Sequence, residues 1–214
     1  TGAVTIALPE DVQAEVIDVP EEFLVDREWH IRRPRAEAAL LANVARVIAG
    51  AKNPLIIAGG GVIYSDAHDA LQKFVEQTKI PVGTSQAGVG SLNWDHPQMC
   101  GSVGATGTTT SNRLAKDADL VIGIGTRYSD FTTASRTVFQ NPDVKFININ
   151  VTAFDAFKHG TAIPVVADAR EALTELSQEL NGYAVDAAYA KKIAEEKTTW
   201  NAIVDASFVD QKLA

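Results

Sequence analysis

Two short, uninterrupted apolar runs, Pro54-Leu55-Ile56-Ile57-Ala58 and Leu120-Val121-Ile122-Gly123-Ile124, each stop on glycine. A strand with one wet face alternates apolar and polar residues. A run that is apolar throughout suits a strand covered on both faces, as in a parallel sheet with helices above and below. Parallel neighbours need helical crossovers, and the sequence supplies them. Leu40, Leu41, Val44, Val47 and Ile48 recur at helical spacing after Pro34, with Gly50 as the stop. Ser65 or Asp66 is placed to cap a helix through Ala70, Leu71, Phe74 and Val75. Residues 111–118 read as helical, and Asp168 caps a helix through Leu173, Leu176 and Leu180 that Asn181 and Gly182 end. Further strands are predicted at 80–82, 144–149 and 163–166, and a glycine-rich loop from Gly83 to Gly107. The alternation predicts an α/β fold: a Rossmann-like three-layer sandwich with a parallel sheet, flanked by N- and C-terminal connectors.

The flanks read differently. Val4, Ile6 and Leu8 alternate as a strand does and Pro9 stops it, while residues 12–34 carry charges, Pro20 and scattered apolar residues without a period. Phe23 and Trp29 in that stretch are expected to pack on a neighbouring surface. Residues 1–33 therefore read as a short strand and a connector, 34–181 as a central α/β domain, and 182–214 as a helical connector. Ile193, Trp200, Ile203 and Val204 are its expected buried points.

Composition narrows the function classes. Asp and Glu outnumber Lys and Arg 27 to 19, a net charge of −8, so nucleic acid is not an expected partner. No apolar run approaches the ~18 residues of a membrane span. A lone cysteine, Cys100, excludes an intrachain disulfide and suits a cytoplasmic setting. The chain opens on Thr1 and holds one methionine, Met99; we read it as a piece of a longer chain.

In such sheets ligands sit beyond the carboxyl ends of the strands. Those ends carry Gly59, Gly60 and Gly61, then Thr84, Ser85 and Gln86, then Gly125, Thr126 and Arg127, then Asn148 and Asn150. Each glycine cluster serves either a tight turn or close approach to a ligand. Neither Gly59 to Gly61 nor Gly101, Gly104 and Gly107 has the G-x-G-x-x-G spacing of the dinucleotide fingerprint. Arg127 reads as a phosphate partner or as a surface ion pair. The four histidines are dispersed and no spacing suits a metal; His96, between Asp95 and Pro97, reads as a turn residue. No nucleophile elbow and no Gly-Lys phosphate loop occurs. No catalytic residue and no metal ligand is assigned.

Taken together, Asn53 to Gly61, the segment Ser85 to Ser91 followed by Asp95-His96-Pro97, and Ala118 to Arg127 resemble the middle domain of thiamine-diphosphate (ThDP) enzymes of the acetolactate synthase and pyruvate oxidase superfamily. The resemblance covers nearly the whole chain. More narrowly, Asp11 to Glu15, Trp29 to Ile31, Trp94 to Pro97, Asp130 to Thr133 and Phe154 to Gly160 are similar to the branch that opens a trihydroxycyclohexanedione ring in myo-inositol catabolism. This resemblance implies that residues 1–33 are the end of a preceding pyrimidine-binding domain and its connector, that 34–181 are the central domain, and that 182–214 lead towards a diphosphate-binding domain; it implies a C–C bond hydrolase whose ThDP and Mg²⁺ are held mainly by those flanking domains of the same chain. It implies a polyhydroxy cyclic ketone substrate, a homodimeric or homotetrameric parent, and a fragment inactive alone. An acetolactate synthase-like carboligase or decarboxylase domain, a nucleotide-binding module and a pure scaffold are the alternatives.

In flavin-dependent relatives the middle domain holds FAD at the strand ends. By that resemblance Gly59, Gly60, Gly61, Thr84, Gly104, Gly125, Arg127 and Asp168 are candidate contacts for FAD or ADP, with Gln86 beside them. Asn148 and Asn150 stand where acidic residues are common. The loop Ser85 to His96 is expected to approach the active site across a domain boundary.

Overall fold

The computed structural model describes residues 4–28, 30–158 and 162–208, and the chain divides between Arg32 and Arg33 into two units. In the first, helix α1 (Glu10–Gln13) and a 3-10 turn (Glu21–Phe23) are the regular elements among the described residues, every one of which is exposed. The strand expected at residues 4–8 does not form. A strand exists only against a hydrogen-bonding neighbour, and here Val4, Ile6 and Leu8 stand open to solvent. Phe23 is likewise 75% exposed; Trp29 lies outside the described residues.

The second unit carries the sheet. Its elements are α2 (Ala38–Gly50), β1 (Pro54–Ala58), α3 (Gly60–Tyr64), α4 (His68–Thr78), β2 (Val82–Thr84), β3 (Met99–Ser102), α5 (Thr109–Asp117) and β4 (Leu120–Ile124). There follow α6 (Asp130–Thr133), β5 (Lys145–Asn150), α7 (Ala153–Ala156), β6 (Ala162–Val166), α8 (Ala169–Glu179) and α9 (Ala187–Ser207). All six strands run parallel in the order β3-β2-β1-β4-β5-β6. The chain winds outward from β1, returns to the centre, and winds outward the other way from β4. The carboxyl ends of β1 and β4 therefore flank the topological switch point, where the two halves of a Rossmann-like sheet part.

The two-residue repeat of the central strand makes the layers. Leu55 and Ile57 enter a core with Leu114, Ala115, Tyr189 and Ile193 of α5 and α9. Ile56 and Ala58 point the other way, into a core with Val44, Ile48, Phe74 and Leu173 of α2, α4 and α8. All five residues of β1 and of β4 are buried, as uninterrupted apolar runs require. Full burial of one such side chain contributes about 1.5–3 kcal/mol. At the amino ends of β1 and β4 the Asp119 carboxylate accepts the amides of Lys52 (2.7 Å) and Asn53 (2.8 Å), tying together the segments that lead into both strands.

Some local expectations change. Helix α2 starts four residues beyond Pro34, because the Pro34 carbonyl accepts the Asp168 amide at 2.8 Å and holds the incoming chain extended. Ser65 and Asp66 end α3 rather than start α4: Asp66 is left-handed (φ 51°) and Ala67 occupies the N-cap without a side-chain bond. The loop from Gly83 to Gly107 contains β3, a sixth strand that its short length and Gly101 (φ +88°) conceal. In α9 Ile193 is buried as expected, but Trp200 and Val204 are half-buried and Ile203 is exposed, since the later turns extend past the core. The caps of α8 and its stop at Gly182 (φ +81°) are as the sequence indicates.

Replacing Gly59, Gly90 and Gly50 separately by alanine gives three different outcomes in urea unfolding. A methyl at Gly59 would lie 2.3 Å from the Gly125 carbonyl, so Gly59→Ala loses about 3 kcal/mol or more. Gly90 has open space but φ +92°, and its alanine costs about 1 kcal/mol. Gly50 is helical and meets nothing within 4 Å; its alanine stabilises by about 0.5 kcal/mol.

Candidate functional site

At the switch point three glycines form one contact. The Gly59 amide donates to the Ile124 carbonyl (2.8 Å) and the Gly61 amide to the Gly125 carbonyl (3.0 Å), while the Gly125 amide donates onward to Ile149 (2.8 Å). A methyl group at Gly61 would stand 2.5 Å from the Gly125 Cα, and one at Gly125 2.4 Å from the Gly61 Cα. Gly125 is left-handed as well, at φ +59°. The turns leaving β1 and β4 thus touch backbone to backbone, and the cradle that the glycines open is filled by the protein.

The remaining candidates lie around this contact with partners of their own. Thr84 is buried, its hydroxyl 3.3 Å from Ser102 Oγ. The Gln86 amide reaches Thr106 Oγ1 at 3.5 Å. Gly104 donates its amide to Asn112 Oδ1 (2.8 Å) and accepts from Asn112 Nδ2 (2.9 Å). A methyl at Gly60 would meet Ala87 at 3.2 Å. Asp168 is buried: Oδ1 accepts the amides of Arg170 (3.0 Å) and Glu171 (3.3 Å), and Oδ2 pairs with Arg33 at 3.1 Å. Asn150 Oδ1 accepts from the Thr152 amide and hydroxyl, and its Nδ2 donates to the Thr126 carbonyl. Asn148 Nδ2 donates to the carbonyls of Ala156 and Lys158. Asn150 is thereby a structural residue, and it is buried.

Arg127 is different. Its guanidinium is exposed and makes no ion pair among the described residues. It lines a cavity of 370 Å³ with Tyr128, Asp130, Thr133, Arg136 and Lys158. Lys158 bridges to it, donating to the Arg127 carbonyl at 3.4 Å while pairing with Asp155 at 2.8 Å. Two unpaired arginines and an ammonium facing one cavity suit an anion. Sequence reasoning reached Arg127 and missed Arg136 and Lys158, which follow α6 and α7, helices of four residues with no periodic signal.

A second cavity, of 460 Å³, lies where the loop after β2 meets α9, lined by Thr84, Trp94, Asp95, Cys100, Lys197 and Trp200 among others. Lys197 donates to the carbonyls of His96 (2.9 Å) and Pro97 (2.7 Å), pinning the loop. Burial lowers the Lys197 pKa. Burial pushes the Cys100 thiol up to about 12, so it is no nucleophile. Among the described residues no group of three or more His, Cys, Asp or Glu could hold a metal ion, and no helix is long and apolar enough to cross a membrane.

His96 gives the loop a pH dependence. Its Nδ1 accepts the Gln98 amide at 3.2 Å, which requires a lone pair there, and Nε2 lies 3.9 Å from Glu76. Burial lowers its pKa below 6.5, against Glu76 and Asp95, which raise it, and with Lys197 and Lys79, which lower it further. The unfolded chain therefore takes up the proton first. The His96 contribution is complete above the ordinary histidine value and declines as pH falls below it. Urea midpoints measured from about pH 7.5 to about pH 5 will fall more steeply for the wild type than for His96→Asn, whose amide oxygen can replace Nδ1 without titrating.

Residues 41–176 match the family described as thiamine pyrophosphate enzyme, central domain. The 3D-(3,5/4)-trihydroxycyclohexane-1,2-dione hydrolase of Bacillus cereus (strain AH820) is 46% identical over 200 residues, which are 94% of this chain and 31% of that protein. The hydrolase of the same name from Clostridium tetani (strain Massachusetts / E88) is 43% identical over the same shares. The chain spans about a third of the length of these relatives. With the match covering β1 to β6 and the helices between them, the chain belongs to the central-domain family of thiamine pyrophosphate enzymes.

Proposed function

We propose that this chain is the central domain of a ThDP-dependent C–C bond hydrolase that opens the ring of trihydroxycyclohexane-1,2-dione in myo-inositol degradation. The observation that carries this reading is the 46% identity across 94% of the chain to hydrolases named for that substrate. Agreement of that extent, far outside the glycine-rich turns, is more than a shared fold requires. In support, Thr84, Gln86 and Gly104 are bonded within the chain, and among the described residues no group of three or more His, Cys, Asp or Glu could hold a metal ion. ThDP supplies the carbanion that breaks a C–C bond next to a carbonyl, and we place it, with Mg²⁺, in flanking domains of a longer chain. We place that enzyme in the cytoplasm as a homodimer or homotetramer, with the buried, unpaired Cys100 in keeping with a reducing compartment.

In this reading the domain does not touch the reacting bond. It spaces and orients its neighbours, and the loop of residues 85–96, held by Lys197, reaches toward the active site. The test compares two proteins on trihydroxycyclohexane-1,2-dione. The 214-residue chain is expected to show no turnover, and the longer chain to open the ring with ThDP and Mg²⁺ present. A longer chain that instead condenses pyruvate and leaves the ring intact would assign the domain to a carboligase.

A further inference from the structure

Among the strand-end glycines and buried acceptors of this sheet, little is left for a dinucleotide to bond. A dinucleotide at a switch point needs glycine backbone it can approach and acceptors for its ribose hydroxyls. The approach to Gly59 and Gly61 is taken by Gly125, and their amides already donate to Ile124 and Gly125. Methyl groups at Gly88 and Gly104 would lie 2.0 Å from the Ala58 carbonyl and 1.9 Å from the Phe131 carbonyl; these glycines also serve internal contacts. Of the acceptors, Asn150 Oδ1 holds the turn at Thr152, and both Asp168 oxygens are bonded within the chain. Asn148 Oδ1 has no partner, but the residue is 3% exposed and its amide nitrogen is bonded to Ala156 and Lys158 carbonyls of the following turn.

We propose that the glycines and buried acceptors of this switch point are closed to FAD, NAD and ADP by the chain's own groups, which leaves the exposed Arg127 without the backbone and ribose contacts a dinucleotide needs, and that Asp168 serves as the anchor of the incoming chain instead of a ligand acceptor. Four bonds converge on that residue. Its amide donates to the Pro34 carbonyl, Oδ2 takes the Arg33 guanidinium, and Oδ1 caps α8 through two amides. Arg33 in turn donates to the Ser65 carbonyl at the end of α3. The first two residues of the sheet-bearing unit are thus fixed to the helix that follows β6 and to the turn that follows α3. Arg33 and Asp168 side chains are 19% and 5% exposed, and a carboxylate so enclosed requires its cation. The latch is independent of which reaction the longer chain performs.

The experiment titrates FAD, ADP and NAD⁺ into the 214-residue chain by calorimetry, and measures melting and amide exchange of Arg33→Met beside it. No saturable heat is expected from any of the three. Arg33→Met is expected to lower Tm by roughly 5 °C or more and to speed exchange at the Arg170 and Glu171 amides, with nucleotide binding still absent. One-to-one binding of any of the three by the wild type overturns the closure. An Arg33→Met chain with the wild-type Tm and exchange overturns the anchor, and ring opening by the longer chain is unaffected by either result.

Discussion

The tightest constraint in the fold is the meeting of Gly59 and Gly61 with Gly125. Parallel strands β1 and β4 are neighbours in the sheet, and the turns that leave their carboxyl ends meet backbone to backbone before the chain goes its two ways. Side chains at those positions would hold the turns apart by more than an ångström, since methyl groups would fall 2.3–2.5 Å from opposing backbone. With glycine, the Gly59 amide reaches the last carbonyl of β4 and the Gly61 amide reaches the turn beyond it. The register of β1 on β4, from Pro54 opposite Leu120 to Ala58 opposite Ile124, ends in this contact. Both cores depend on that register, because a shift of one residue would send Leu55 and Ile57 to the helices that now receive Ile56 and Ala58.

Two aspartates fasten what the glycines bring together. Asp119 closes the amino ends of β1 and β4 by accepting the amides of Lys52 and Asn53. Asp168 closes the opposite end, where α8 begins and the chain comes in at Arg33 and Pro34. Each carboxylate accepts two backbone amides, Asp119 those of Lys52 and Asn53 and Asp168 those of Arg170 and Glu171, and a net contribution of about 1 kcal/mol is typical of each such bond. These two charges are therefore set beyond the strand ends, and the central strands β1 and β4 stay apolar.

The sequence was most readable where periodicity and burial coincide. The runs of β1 and β4 and the cap and stop of α8 are legible because each residue type there serves a local requirement that no distant partner alters. The α/β sandwich followed from them. What stayed hidden depends on pairs far apart in the chain. β3 is a four-residue strand whose Gly101 reads as loop; only its place beside β2 makes it a strand. The start of α2 is set by Asp168, more than a hundred residues away, and the meeting of Lys197 with His96 joins α9 to a loop before β3. Of the candidate site, the glycines were legible by position but not by role, since a turn and a ligand cradle use the same residue. Arg136 and Lys158 gave no signal, because four-residue helices have no period to read.

The distribution of charge corrects one inference drawn from the total. Residues 1–32 hold eight Asp or Glu and two Arg, and so carry −6 of the net −8. The sheet-bearing unit, with nineteen acidic and seventeen basic residues, is close to neutral. Repulsion of anions is therefore a property of the first unit, where the carboxylates stand among exposed Val, Ile, Leu and Phe. In the sheet-bearing unit, the cavity beneath Arg127 is lined by Arg136 and Lys158 with Asp130 alone among the lining carboxylates. Screening reduces the reach of the first unit's charge to about a Debye length of 8 Å at physiological salt. The composition of the whole chain therefore predicts the charge of neither unit.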